Sequence, residues 1–114
     1  VIDGDTEITA HVRTKVARGH TPSYQAVVVE SDGEAALFLG DACPWGIFLE
    51  RLGWVSSFDI EPLASITSKK MLGGWAVRHH ARLFFQHDAL MESAFVRREG
   101  DKFVLVDPVK VPRP

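Results

Sequence analysis

The 114-residue chain is poor in cysteine, in net charge of either sign and in long apolar runs. With Cys43 alone, no intrachain disulfide and no cysteine-based zinc cluster can form. That usage fits a reducing, cytoplasmic setting. No run approaches the roughly 20 apolar residues of a membrane-spanning helix. Thirteen Lys and Arg against 15 Asp and Glu leave a net charge of −2, and the longest basic clusters are the pairs Lys69-Lys70 and Arg97-Arg98. Nothing there drives the chain toward nucleic acid or an anionic membrane. Internal repeats and low-complexity tracts are lacking too. What is present, 46% hydrophobic and 25% charged residues, describes one globular domain or part of one, with a modest core. The chain opens on Val1, and VIDGDTEI reads as a turn already entering a strand; the expectation is that further residues precede it.

The alternation of Ile8, Ala10 and Val12 against Glu7, Thr9 and His11 predicts a half-buried strand over residues 6–12, with a short strand over 14–17. A Gly19-His20-Thr21-Pro22 turn follows. Residues 24–30 and 34–39 read as a hairpin closed by Ser31-Asp32-Gly33. Both strands are apolar on both faces, which suits a sheet covered on both sides. Residues 47–52 can form a short helix. Asp59-Ile60-Glu61-Pro62 is the clearest helix start, and that helix is expected to reach Leu72, with Gly73-Gly74 weakening or breaking it and residues 75–79 adding a turn or two. Residues 83–86, 93–98 and 102–107 are strands, the last two joined by Glu99-Gly100-Asp101. Residues 108–114 form a Pro-rich tail expected to fray.

Three polar groups stand at strand mouths: His20 with Tyr24 around the turn, Asp41 in LFLGD, and His87 in RLFFQHD. Side chains on one rim of a sheet can converge, and imidazole with carboxylate suits zinc and related ions. Each alone has a plainer reading. An aspartate after a strand is commonly a turn residue, and a histidine there is commonly a hydrogen-bonded surface group.

Together, GHTPSYQAVVVES, ALFLGD and LFFQHD resemble the C-terminal half of metallo-β-lactamase-fold hydrolases, most of all their lactonase-like branch. The resemblance runs from about Val1 to Asp107. It implies an α/β fold that is half of a four-layer αββα sandwich: a mixed or antiparallel sheet of about six strands with one or two helices on one face. It implies zinc, with up to two ions in the intact protein. Asp41 would bridge or orient, His87 would hold one metal, and His20 would support a ligand through hydrogen bonds. The chemistry implied is attack of a metal-bound hydroxide on an ester, lactone or amide of a small-molecule substrate.

Two departures qualify this. The family's His-X-His-X-Asp-His motif, from the N-terminal half, is absent, and Tyr24 stands where the turn's ligand histidine is expected. A neutral phenol is a poor zinc ligand, although Tyr24 remains a candidate for a harder ion. The chain alone is therefore expected to be inactive and to lack a tight zinc site. A non-catalytic homologue or interaction domain is the competing reading. A cysteine hydrolase using Cys43 with His20 and Asp41 is another. His79-His80 reads as a solvated helix end, since neighbours on a helix diverge by about 100°. Trp45, Trp54 and Trp75 read as pocket or core residues. Without its other half, the chain is expected to cover its bare sheet face by forming a homodimer, with Val27, Val29, Leu37 and Leu39 as candidates.

Overall fold

The computed structural model describes residues 2–112. Six strands form a single sheet in sequence order: β1 (Val12–Val16), β2 (Gln25–Ser31), β3 (Glu34–Phe38), β4 (Arg82–Phe84), β5 (Met91–Glu99) and β6 (Lys102–Lys110). Neighbours are antiparallel except β3 and β4, which run parallel. A parallel pair needs a crossover. It contains a 3-10 turn (Gly40–Ala42), the short α1 (Ile47–Glu50) and the long α2 (Pro62–His79). The β2–β3 turn places Asp32 and Gly33 at φ 52° and 79°, the two left-handed residues that a type I′ hairpin requires.

α2 covers one sheet face. Val28, Leu37, Leu83 and Ala94 are each 0% exposed and belong to one core with Leu72, Trp75 and Ala76 of the helix. Burying each of the larger side chains contributes about 1.5–3 kcal/mol. The other face carries Val27, Val29, Ala36, Phe38 and Phe84, which are only half-buried. Phe38 and Phe84 stack there at 4.6 Å between ring centroids. The sheet is thus apolar on both sides, as expected, and one side is bare.

Register decides which candidates lie on that bare side. Val27 pairs with Phe38 and Val29 with Ala36, so Leu37 faces α2. Leu37 and Leu39 are 0% and 1% exposed, and neither is available to a partner. Only Val27 and Val29 remain of the four.

Three further expectations are corrected. Residues 6–11 are not a regular strand: the Thr9 hydroxyl accepts hydrogen bonds from the amides of His11 and Val12, both at 3.1 Å, and turns the chain back. Ile8 is 48% exposed, and the region's one bridge joins Glu7 to Arg13. Second, α2 passes through Gly73-Gly74 unbroken for 18 residues. A Cβ on Gly73 would stand 2.7 Å from the ring of buried Phe103, so glycine here admits β6 to the helix. The gain from that packing offsets a propensity loss of about 1 kcal/mol. Third, β6 continues past Pro108 to Lys110. The pairing with β5 shifts register there, with Asp107 at φ 50°, and a bulge in an edge strand tolerates a proline. Arg113 and Pro114 of the expected tail lie outside the described residues.

Candidate metal centre at the sheet rim

The topology brings the three strand mouths together. β3 and β4 are parallel, so the residues that follow each emerge on one rim; β2 is antiparallel to β3, so its entry turn lies on the same rim. His20, Asp41 and His87 converge there. Nε2 of His87 lies 2.8 Å from Oδ1 of Asp41, and Nε2 of His20 lies 3.5 Å from Oδ2.

Each of these is held from behind. Nδ1 of His20 is 3.0 Å from Oδ1 of Asp59, whose side chain is only 4% exposed. The other oxygen of Asp59 accepts from the Ser65 hydroxyl at 2.7 Å. With Nδ1–H donated to Asp59, Nε2 is the nitrogen turned to Asp41. The turn itself is pinned to the start of α2, where the amides of Ile60 and Glu61 donate to the carbonyls of His20 and Gly19. Gly19 has φ 152°, and a Cβ there would overlap Ser65. Arg18 pairs with Glu61 beside it, raising the guanidinium pKa and lowering that of the carboxyl.

Gln86, His87 and Asp88 tie the end of β4 to the loop after β3 with three successive side chains. Gln86 accepts from the Gly40 amide at 2.7 Å, His87 meets Asp41, and Asp88 accepts from the Gly46 amide at 2.9 Å. Asp88 also accepts from Leu90 and Met91, closing the turn after His87.

Tyr24 is turned to the backbone of this loop. Its oxygen accepts the Asp41 amide at 2.7 Å and lies against Gly40. Burial pushes its hydroxyl above the usual phenol range; the Asp41 amide works against that, and the Asp41 carboxylate adds to it. The phenol is therefore neutral at physiological pH.

Facing these polar groups across a cleft of about 510 Å³ are Trp45, Phe48, Val55 and Phe58. Trp75 is core, stacked on His79, and Trp54 is 52% exposed under Arg51. His80 caps α2 in the left-handed conformation. Among the described residues no cluster of three or more His, Cys, Asp or Glu side chains surrounds one point that a metal could occupy. Asp41 and His87 offer donor atoms that suit zinc, but zinc sites commonly use three or four protein ligands. The set fits one side of a metal centre and not a whole one.

Cys43 is 0% exposed, its thiol donates to the Trp45 carbonyl at 3.4 Å, and burial pushes its pKa up to about 12. At pH 8 the thiol is held in its protonated, unreactive form. Iodoacetamide labelling is therefore expected to follow the unfolding rate; rapid labelling of the folded chain would contradict the burial and revive a thiol nucleophile.

Sequence reasoning found His20, Asp41 and His87 but missed Asp59, Ser65, Gln86 and Asp88. Asp59 looked like a helix-start acid. The run of three polar residues after LFF was the one signal that could have exposed Gln86 and Asp88.

No protein-family profile and no curated protein matches the sequence. Solved structures do match. A probable metal-dependent hydrolase from Staphylococcus aureus is 20% identical with a TM-score of 0.79, over 92% of this chain and 38% of that one. AidC, a dizinc quorum-quenching lactonase in complex with its product, is 21% identical with a TM-score of 0.79, over 92% and 36%. The hydrolase AbOPH of the beta-lactamase superfamily is 15% identical with a TM-score of 0.78, over 94% and 37%. The chain has the metallo-β-lactamase fold found in these hydrolases. It forms one half of that sandwich and spans well under half the length of each of these neighbours.

Proposed function

We propose that this chain is the C-terminal half of a metal-dependent hydrolase acting on an ester, lactone or amide of a small molecule. The observation that carries the reading is the convergence of His20, Asp41 and His87 beside an apolar cleft, on the rim of a sheet shared with such hydrolases. Asp41 and His87 act as ligands, and an N-terminal half supplies the rest of the cage. His20, fixed by Asp59, orients Asp41. Tyr24 braces the loop through the Asp41 amide instead of ligating. Zinc, when bound, supplies Lewis-acid activation of water and of a carbonyl. The work of this chain is to place the two ligands and to shelter the apolar part of the substrate. No helix among the described residues is long and apolar enough to cross a membrane. The single buried cysteine accords with action in the cytoplasm.

The test uses the chain joined to its N-terminal half. Zinc should co-purify, and Asp41→Ala and His87→Ala should each lower metal content and hydrolysis of a model lactone at least a hundredfold, with Tyr24→Phe far milder. Metal-free protein with no hydrolysis would favour the non-catalytic homologue, a reading supported by Tyr24 at the turn.

The bare face carrying Val27, Val29, Phe38 and Phe84 is where the N-terminal half would pack, and in the isolated chain a second copy covers it. Sedimentation equilibrium at tens of micromolar should give a dimer mass, and Phe38→Lys should return a monomer, because an ammonium would be buried unpaired. A monomer mass for the unaltered chain would refute self-association.

A further inference from the structure

Lys69 is 2% exposed, yet among the described residues no carboxylate pairs with it. Its ammonium instead donates to three backbone carbonyls: Phe48 at 2.9 Å, Leu52 at 2.9 Å and Trp54 at 2.5 Å. An ammonium has three protons, and all three are used. A buried cation is tolerated only when so satisfied. Burial pulls its pKa below the ordinary lysine value, against the opposing pull of Cys43 and Asp59.

The three carbonyls belong to the segment that forms the apolar side of the cleft. Phe48 lines it, and Trp54 immediately precedes Val55, which also lines it. Every other hydrogen bond recorded for residues 51–58 stays within residues 47–59. Lys69 is thus their hydrogen-bonded tether to the body of the fold, and it comes from the middle of α2, the helix whose start also holds His20.

We propose that Lys69 is the positioning residue of the cleft: it fixes the apolar wall at a set distance from Asp41 and His87, so that the apolar part of a ligand is held in register with the polar rim. This rests on the cleft being the ligand site, but its test needs no activity. In the unaltered chain, the ammonium protons of Lys69 should persist in proton–nitrogen NMR spectra at neutral pH, while those of Lys15, Lys70, Lys102 and Lys110 exchange away. In Lys69→Met, amide exchange over residues 51–58 should rise about tenfold or more. The strands and the ring resonances of His20 and His87 should stay as they were. Acrylamide should then quench Trp54 more strongly, and Trp45 and Trp75 no differently. A uniform rise in exchange would show Lys69 to be a plain core support and overturn the proposal; so would an unchanged wall. Should Lys69→Met fail to fold, the ammonium signal of the unaltered chain decides, and five lysines exchanging alike would sink the idea. Absence of zinc or of hydrolysis in the joined protein would refute the hydrolase reading and leave these outcomes untouched.

Discussion

Gly19→Ala should cost about 3–5 kcal/mol, combining overpacking with a backbone conformation that L-residues rarely adopt. The added methyl would stand 2.2 Å from Oγ, 2.5 Å from Cα and 2.6 Å from the amide nitrogen of Ser65. Two of those atoms are backbone at the start of α2. No rotamer change relieves the overlap, so either the turn or the helix must move. Moving either breaks the amide contacts from Ile60 and Glu61 and separates Asp59 from His20. Thermal unfolding should therefore drop by roughly 10–20 °C. A loss under about 1 kcal/mol would mean that the turn does not sit on the helix as described.

Gly40→Ala should also be severe, about 2–4 kcal/mol, but for a reason that can be undone. Gly40 has φ 53°, and its Cβ would lie 2.0 Å from the hydroxyl oxygen of Tyr24 and 3.3 Å from the ring carbon that carries it. Remove that oxygen and the overlap is gone. Tyr24→Phe alone should cost about 1–2 kcal/mol, since the Asp41 amide loses its acceptor. The double variant should then be more stable than the two losses summed, by about 1–2 kcal/mol of coupling. Strict additivity in denaturant unfolding would mean that Tyr24 does not lie under Gly40, and the bracing role given to it would fall.

How much of this was legible differs from residue to residue. The Asp32-Gly33 turn carries its own chemistry, so the β2–β3 hairpin could be read directly. The strand mouths were legible because an apolar run ending in one polar residue marks both the strand and its exit. The alternation of Ile8, Ala10 and Val12 misled because a short pattern says nothing about whether Thr9 will bond the backbone and turn the chain. Gly73 misled because its reason is Phe103, far away in sequence, and local propensity cannot see a ring arriving from β6. The same holds for Asp59, Ser65 and Lys69, whose partners are set by the docking of α2. Leu37 and Leu39 were placed on the bare face with Val27 and Val29, although a hairpin closed at residues 32–33 pairs Val27 with Phe38. That error needed only the register to correct it.

Strand order that follows sequence order has a bearing on how the rim comes into being during synthesis. β1, β2 and β3 can pair as soon as they leave the ribosome, and β5 with β6 needs nothing from upstream, because hairpin closure spans few residues. The rim has no such independence. His20 must wait for Asp59, 39 residues later, and Gly40 for Gln86, 46 residues later. Such closures carry a larger entropy cost and are made only once the crossover has docked. The rim therefore assembles after the first hairpin, and a nascent chain halted before β4 would hold a formed hairpin without His87 or Gln86 to meet the loop after β3.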